Sequence, residues 1–392
     1  MVGAVFAVIL IVGGGECLTM STRTLSLPTD ELAALVGGTG RAKSVWDEVR
    51  RGIEPLSSTS RITSKTRAAL EAAGVKQFVP GHPEAVSVAR DGTTKLLVRF
   101  DDGLAVETVL IPHLKLPRTT LCVSTQVGCD RGCGFCATAA MGLARNLTAC
   151  EIAAQFYWAK DYATAAPLTN VVFMGMGDAG VNCDASAAAA VALTDHTKFG
   201  LARSKVTIST VGPSPTSFRV LAQSPGMLAW SVHAADDDLR RQLVPTQRYS
   251  LIELRAGLVD ALASRPTVRM RTLMIAATLI QGVNDRDDDA VRLAEFVGPL
   301  VDVATKVLLD LIPVNAVDHA PHFQRPDHDR IFKFMDVLRR VEPRVHVAVR
   351  ITRGDDECAA CGQLAVKDSQ ARVVRRRQRL AAAAGSSSAA IS

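Results

Sequence analysis

Three cysteines lie close together in the stretch CDRGCGFC, where Cys129, Cys133 and Cys136 follow the spacing Cys-x-x-x-Cys-x-x-Cys. This spacing is typical of three thiolates that bind a 4Fe-4S cluster and leave one iron open to chelate a small molecule through nitrogen and oxygen. A fully ligated electron-transfer cluster would be expected to have a fourth cysteine nearby, and structural zinc more often has two separated cysteine pairs. The motif therefore favours an open 4Fe-4S cluster, with zinc or unligated loop thiols as the alternatives.

Small and polar residues directly follow several apolar segments of the chain. Gly177 and Asp178 come after the segment NVVFM. Glycine there lets the backbone approach a ligand closely, and the carboxylate can accept hydrogen bonds from a cationic amino group. Further residues of this kind are Ser209, Ser231, Val232, His233 and Asn315. Each alone is more often an ordinary loop residue, but as a set at one edge of a sheet they are expected to line one pocket.

Seven apolar runs after residue 116 are predicted to be buried parallel strands. They cover residues 120–123, 171–174, 206–211, 228–232, 268–275, 307–312 and 345–351. Helices are predicted between most of them, at 187–193, 251–262, 290–297 and 329–341, and one helix is opened by the capping box Thr148 to Glu151. Repeated strand and helix units predict a parallel α/β barrel or a partial one, whose chemistry gathers at the carboxyl ends of the strands.

Sequence patterns divide the chain into five parts. Residues 1–19 are expected to be disordered or a misassigned start, because the apolar run is too short to span a bilayer and Met20 opens a second plausible beginning. A helical N-terminal domain is predicted for residues 20–90, and a β-ribbon is predicted for residues 91–116. Residues 117–366 form the predicted barrel. Residues 367–392 predict a basic helix end, RVVRRRQR, and a disordered Ala/Ser tail.

Composition agrees with an ordinary soluble globular protein and does not identify its function. The 392 residues are 48% hydrophobic and 21% charged, which is enough for one large domain and a smaller one. Nine cysteines, three of them too close together for a secreted disulfide framework, favour a reducing cytoplasmic location without membrane association. The net charge of +6 permits a polyanionic partner but does not require one. Aromatic residues make up only 5%, so base stacking is not expected to dominate RNA contacts.

A set of ordered segments resembles the RlmN/Cfr family of radical S-adenosylmethionine (SAM) RNA methyltransferases. The segments are CVSTQVGCDRGCGFCATAAMGLARNLTACEI, NVVFMGMG, TISTVG, SVHAADDDLRRQLVP, GVND, LIPVN and TRGDDECAACGQL. They run from about residue 120 to 366, and the N-terminal part resembles the family's accessory region less strongly. The resemblance implies a partial parallel (β/α) barrel of the radical SAM type, with a 4Fe-4S cluster at the three cysteines and SAM beside Gly177 and Asp178.

The resemblance also implies how the reaction is divided among residues. The family methylates an sp2 carbon of adenine, C2 in RlmN-type and C8 in Cfr-type enzymes, by a radical route. By motif match, Cys361 would carry the methyl group as S-methylcysteine, and Cys122 would be the resolving cysteine that forms a transient disulfide with Cys361. Glu107 lies where the family has its proton acceptor. From the residues alone, Cys122 would be a core thiol, Cys358 and Cys361 a redox or metal pair, and Glu107 a solvated charge.

The implied interpretation is an RlmN-like enzyme that methylates C2 of adenosine in rRNA or tRNA. It implies an electron donor such as flavodoxin or ferredoxin, and we expect a monomer. The chain departs from the family where Asp178-Ala179-Gly180 replaces the usual Glu-Pro, and in the segment after Asn315. A Cfr-like C8 enzyme, a radical SAM enzyme acting on a small molecule, and a non-catalytic iron-sulfur RNA-binding protein stay open as alternatives. The last two would not need Cys122 and Cys361.

Overall fold

The computed structural model describes residues 23–366, and the predictions for residues 1–19 and 367–392 lie outside that part. Three short helices open the described chain: α1 (Thr29–Val36), α2 (Thr39–Arg50) and α3 (Ser64–Ala72). Trp46 and Phe78 are completely buried among them, with their rings meeting edge to face at 6.0 Å. The same apolar cluster includes Cys150 and Tyr157 of a later helix, so the N-terminal helices pack against the main domain.

A three-stranded antiparallel ribbon follows the helices. Its strands are β1 (His82–Val88), β2 (Thr94–Arg99) and β3 (Ala105–Pro112). The ribbon begins at His82, ahead of the predicted boundary at residue 91. Strand β1 was not recognised in the sequence because it is largely exposed and lacks a clear apolar alternation. Strand β3 then pairs antiparallel with β4 (Thr119–Cys122). The ribbon therefore continues the sheet of the main domain.

The main sheet contains ten strands in the order β1, β2, β3, β4, β7, β8, β9, β10, β11, β12. The strands after β4 are β5 (Gln126–Gly128), β6 (Leu143–Asn146), β7 (Leu168–Phe173), β8 (Val206–Thr210), β9 (Met227–Ser231), β10 (Thr272–Leu279), β11 (Lys306–Pro313) and β12 (His346–Val349). All neighbours from β4 to β12 pair in parallel. Strands β5 and β6 form a separate hairpin. The predicted partial α/β barrel is thus confirmed.

Helices connect the parallel strands and cover the sheet. They are α4 (Ala137–Met141), α5 (Ala149–Ala159), α6 (Cys183–Thr194), α7 (Pro215–Ala222), α8 (Asp237–Leu243), α9 (Leu251–Ala263), α10 (Asp287–Val301) and α11 (His328–Val341). The capping box predicted at the start of α5 is confirmed, since the Thr148 hydroxyl accepts from Glu151 N and the Glu151 carboxylate accepts from Thr148 N.

Two details of the main domain differ from the predictions. Residue Val268, the expected start of a strand, is exposed in a 3-10 turn, and β10 begins only at Thr272. Helices α4, α7 and α8 and the β5–β6 hairpin were not predicted, because their apolar patterns are too short to separate from loops. None of the helices in the described residues has the length and apolar character needed to cross a membrane.

The segment after β12 bridges the two ends of the open sheet. Asp91, in the turn between β1 and β2, accepts from Arg353 Nε at 2.6 Å and from Gly354 N at 3.0 Å. Farther along, the Ala365 N–H donates to the Glu107 carboxylate on β3 at 2.8 Å. The strand order alone would leave this side of the barrel open. The C-terminal segment therefore lies across the gap, beside the carboxyl ends of the strands.

Candidate active site

The cysteine loop runs from the end of β5 to the start of α4 and is held by backbone contacts. The Cys129 N–H donates to Gly142 O at 3.0 Å, and the Cys136 N–H donates to Cys133 O at 3.1 Å. Gly128, which precedes the loop, has φ +78°, and a Cβ there would lie 1.8 Å from Gly142 O. Only glycine fits that close approach, so the hairpin and the loop are fixed to each other.

Two of the three loop cysteines, Cys129 and Cys133, are buried, and Cys136 is half-buried. Burial raises the pKa of Cys129 to about 12, and it raises the pKa of Cys133 and Cys136 as well, with neighbouring cysteines adding to the shift. Positive charge from bound iron would be needed to hold them as thiolates. Within residues 23–366, no three His, Cys, Asp or Glu side chains converge on one metal ion. A 4Fe-4S cluster does not require that, because each thiolate binds its own iron, so the donor set fits the cluster.

The loop forms one wall of an open cavity of about 850 Å³ at the carboxyl ends of the strands. Five of the predicted pocket residues lie on this cavity together with the three cysteines: Gly177, Asp178, Ser209, Ser231 and His233. Cys361 and Gly362 lie on the cavity from the opposite, C-terminal segment. Cys122, Glu107, Val232 and Asn315 do not line it directly. The prediction that polar residues at the strand ends share a pocket therefore agrees with the structure for most of the set.

Asp178 presents a buried carboxylate oxygen to this cavity. The residue is only 4% exposed, its Oδ1 accepts from Gly180 N at 3.0 Å, and its Oδ2 has no hydrogen-bond partner among the described residues. Burial raises the pKa of this carboxyl, and hydrogen bonding from Thr210 opposes the rise. Gly177 next to it has φ +92°, and a Cβ there would come within 2.5 Å of Gln126 Cβ. A buried carboxylate oxygen without a partner suits a cationic amino group, so these residues fit the methionine end of SAM.

The ends of β8 and β9 are joined by a buried arginine that the sequence analysis did not single out. The Ser209 and Ser231 hydroxyls lie 3.4 Å apart. Arg240 of α8, 1% exposed, donates to Val232 O at 2.9 Å and also to Val211 O. Val232 therefore contributes through its backbone rather than by lining the cavity. An arginine on a helix that directly follows a strand-end motif was the available signal, but nothing local showed that it folds back.

His233 adopts a left-handed backbone conformation with φ 63°. Its Nδ1 accepts a hydrogen bond from Thr278 N at 3.2 Å, and its ring meets Phe135 of the cysteine loop edge to face at 4.8 Å. Burial lowers the pKa of His233 to about 3, and the nearby Arg240 guanidinium contributes to the shift. The imidazole is consequently neutral near pH 7 and supports the aromatic residue that precedes Cys136.

Asn315 holds the backbone of the C-terminal segment. Its side-chain Nδ2 donates to Cys361 O at 2.9 Å, while its Oδ1 accepts from Arg325 Nη2 at 2.7 Å and from the Thr352 hydroxyl at 2.9 Å. The segment also contacts the start of α4, where the Ala137 N–H donates to Gly362 O at 2.7 Å. These contacts keep Cys361 beside the cysteine loop.

Cys122 and Cys361 approach each other from the first strand of the parallel sheet and from the segment after the last. Cys122 ends β4 and is 8% exposed, whereas Cys361 is exposed. Burial raises the pKa of Cys122 to about 12, the nearby Cys361 raises it further, and the Arg350 guanidinium opposes the rise. Arg350 follows β12, donates to Asp310 Oδ2 from Nε at 3.0 Å and interacts with both thiols. This arginine was also missed, because only the folded sheet brings it close to the two cysteines.

Glu107 lies on β3 next to the strand that carries Cys122. Val109 pairs directly with Cys122, and Glu107 is two residues earlier, so strand alternation directs Glu107 to the same face. Its carboxylate lies 3.1 Å from Lys95 Nζ and accepts from Ala365 N at 2.8 Å. At 6% exposure it is not a solvated surface charge. It links the ribbon to the segment that carries Cys361.

Comparisons with known proteins give consistent results. None of the protein-family descriptions searched matches the chain. The dual-specificity RNA methyltransferase RlmN of Alkalilimnicola ehrlichii is 38% identical over 342 residues, which cover 86% of this chain and 89% of that protein. RlmN of Sorangium cellulosum is 36% identical over 371 residues, covering 85% of this chain and 92% of its own length.

The fold matches a solved structure of the same class. A radical SAM methyltransferase from Sphaerobacter thermophilus superimposes with a TM-score of 0.76 and 36% identity, covering 88% of this chain and 99% of that chain. Sequence identity of this size over most of both proteins, together with the shared fold, decides the family. The chain belongs to the RlmN/Cfr family of radical SAM RNA methyltransferases.

Proposed function

We propose that this RNA methyltransferase adds a methyl group to C2 of an adenosine in rRNA or tRNA through an S-methylcysteine at Cys361. The observation that supports the proposal is that Cys122 and Cys361 are near enough to interact electrostatically, with Cys361 beside the cysteine loop and Glu107 on the strand that adjoins Cys122. A methyltransferase that transferred the SAM methyl group directly would need neither cysteine. Cys358 and Cys361 as a metal pair would also leave Cys122 without a role.

The family implies a 4Fe-4S cluster and SAM, and the residues of this chain fit both. Cys129, Cys133 and Cys136 would hold the cluster, and Asp178 Oδ2 would accept a hydrogen bond from the amino group of SAM. When bound, cluster and SAM together supply a carbon radical able to take hydrogen from a methyl group. Neutral His233 and Phe135 would keep the loop packed and exclude water.

Cys361 acts first as a nucleophile in the proposed reaction. Its exposed thiol, once deprotonated, attacks a sulfonium methyl, so that a C–S bond forms and the methyl's bond to the SAM sulfur breaks. After the methyl carbon is joined to the adenine ring as a methylene bridge, Glu107 would take the proton from the ring carbon, and the one unpaired electron left on the ring would return to the cluster. Cys122 then attacks the Cys361 sulfur, an S–S bond forms, and the C–S bond breaks with its electrons going to the methylene carbon, which takes up a proton to become the methyl group. Arg350 would stabilise the Cys122 thiolate during this attack.

The methylated position, the electron donor, the cellular location and the oligomeric state are also part of what we propose. C2 is proposed over C8 because the named relatives are RlmN proteins. A single-electron donor of the flavodoxin or ferredoxin class would reduce the cluster. A reducing cytoplasm would keep the three thiols of the cysteine loop available to bind iron. A monomer would suffice, since every proposed residue comes from one chain.

The product test is mass spectrometry of nucleosides from RNA incubated without oxygen with the iron-reconstituted protein, SAM and a reductant. We expect 2-methyladenosine. Formation of 8-methyladenosine would instead establish Cfr-like chemistry, and release of 5′-deoxyadenosine without methylated RNA would point to a different substrate.

Substitutions test the roles of the cysteines. Cys122→Ala should accumulate a covalent protein–RNA adduct, and adding Cys361→Ala should abolish that adduct. The control Cys183→Ala should not accumulate an adduct, and adding it to Cys122→Ala should not remove the adduct. Cys129→Ala should lose iron and SAM cleavage. Methylation that persists in both the Cys122→Ala and Cys361→Ala proteins would contradict the proposed route. Glu107→Gln should retain SAM cleavage but slow RNA methylation by about 100-fold, the lower range for a lost general base.

A further inference from the structure

A second cysteine lies beside the methyl-carrying position and has no role in the proposed route. Cys358 and Cys361 are separated by two alanines, and both are exposed. Cys358 adopts a left-handed backbone conformation with φ 48°, which is unusual for a residue other than glycine. It closes the short 3-10 turn Asp355–Glu357, with its N–H donating to Asp355 O at 3.2 Å. The chain thus turns sharply just before Cys361.

This turn is held in the active site by side chains from other parts of the fold. Lys95 Nζ donates to Cys358 O at 3.3 Å and lies 3.1 Å from the Glu107 carboxylate. Asn315 donates to Cys361 O. Within the segment, the Gln363 side chain accepts from Ala360 N at 3.2 Å and donates to Asp355 Oδ1 at 2.7 Å. The backbone carbonyls of both cysteines are therefore held by side chains of the main domain, and Cys361 lies on the cavity.

The inference rests on the proposed function, in which each methyl transfer ends with a disulfide between Cys122 and Cys361. The enzyme must reduce this bond before the next turnover. Cys122 is almost fully buried at the end of β4, so one sulfur of the disulfide is out of reach of a protein reductant. The other sulfur belongs to Cys361, which lies on the wall of the cavity. An exposed thiol, Cys358, lies three positions earlier in the same segment, close enough along the chain to attack that sulfur from within the protein.

We propose that Cys358 is a relay cysteine that moves the catalytic disulfide to the protein surface. The Cys358 thiolate attacks the Cys361 sulfur, the Cys358–Cys361 bond forms, and the Cys122–Cys361 bond breaks with its electron pair going to Cys122. The exchange itself consumes no oxidant or reductant. A dithiol protein then donates two electrons and two protons to the surface disulfide, restoring both thiols and leaving its own cysteines as a disulfide.

The surroundings favour this direction of exchange. The Arg350 guanidinium lies beside both Cys122 and Cys361 and stabilises negative charge on the leaving sulfur. Burial then favours the neutral thiol at Cys122, so the released thiolate takes up a proton and attacks less readily in reverse. The product is a disulfide in a Cys-x-x-Cys segment, the spacing that dithiol oxidoreductases themselves use. Its exposure allows a protein to dock on it.

The experiment compares two reductants of different size on the intact, iron-reconstituted enzyme. Wild type, Cys358→Ser and the control Cys183→Ser are assayed for methylated adenosine with thioredoxin, its reductase and NADPH, or with dithiothreitol. All three should complete a first turnover at the same rate. With thioredoxin, continued turnover of Cys358→Ser should fall by about tenfold or more, because an internal thiol acts at an effective concentration near millimolar. With dithiothreitol the loss should be under about twofold, since a small thiol also reaches the cavity.

Disulfide mapping provides the second readout. Enzyme quenched in acid after one turnover with the one-electron donor but without thioredoxin or dithiothreitol should contain both Cys122–Cys361 and Cys358–Cys361 peptides, and Cys358→Ser only the first. Equal thioredoxin-supported turnover of wild type and Cys358→Ser, or the Cys122–Cys361 peptide alone in wild type, would overturn the relay while leaving the proposed methylation intact. No methylated adenosine and no Cys122–Cys361 bond in wild type would overturn both.

Discussion

Replacing Asp178 by asparagine should affect SAM binding and protein stability in opposite directions. The change keeps an oxygen that can accept from Gly180 N and removes the charge from a carboxylate whose Oδ2 has no partner among the described residues. Hydrogen bonds to charged groups contribute about 1.5–3 kcal/mol, which corresponds to a weakening of SAM binding by about 10- to 150-fold. The side chain differs little in size, so packing at the 4% exposed site should be preserved.

Stability of the cluster-free protein should change in the other direction. Burial raises the pKa of Asp178 above its ordinary value of 3.8, so the folded state binds the proton more tightly than the unfolded state. That contribution to stability is present below pH 3.8 and is lost as pH rises through the raised value, above which the folded state carries a buried charge. The asparagine side chain carries no charge at any of these pH values. The Asp178→Asn variant should therefore be at least as stable as wild type at pH 7.

Isothermal titration of SAM into the iron-reconstituted proteins measures the first effect, and urea unfolding of the cluster-free proteins measures the second. Asp260→Asn on α9 is the matched control, because it makes the same chemical change at an exposed position far along the chain from the cavity residues. SAM affinity within about twofold of wild type would refute the assignment of Asp178 to the amino group, since even a weak charged hydrogen bond exceeds that effect. A large loss of stability in Asp178→Asn would refute the reasoning about its burial.

Two further predictions concern the backbone and the pH response of the site. Gly128→Ala should lower the free energy of unfolding by about 2–3 kcal/mol more than Gly103→Ala, because both have φ +78° but only the first places a Cβ against Gly142 O. Urea unfolding measures both, and equal losses would show that the loop relaxes around the methyl group. The substitution His233→Asn keeps an acceptor for Thr278 N. Between pH 6.5 and pH 4, the free energy of unfolding should fall by about 3 kcal/mol more in wild type than in this variant, because the pKa of His233 in the folded state is lowered to about 3. Urea unfolding of the cluster-free proteins at the two pH values tests this, and parallel losses would contradict it.

Local patterns in the sequence were enough to identify the cysteine loop and most of the strands. The three cysteines lie within one short loop, so their spacing does not depend on the rest of the fold. Buried parallel strands are nearly continuous apolar runs, which explains why β8, β9 and β11 were predicted close to their observed bounds. The 268–275 run was misleading because it opens on an apolar residue that is exposed. Family resemblance, and not periodicity, pointed to Cys122, Cys361 and Glu107.

The sequence by itself determined the cysteine loop, the positions of most strands and helices along the chain, and the family. Only the tertiary structure decided which distant groups meet: Arg350 beside Cys122 and Cys361, Arg240 beneath the ends of β8 and β9, and Lys95 between Glu107 and Cys358. The physical reason is that a loop motif depends on neighbours a few residues away. Contacts across the open side of the barrel depend instead on strand register and on the path of the chain after β12, which no local pattern specifies.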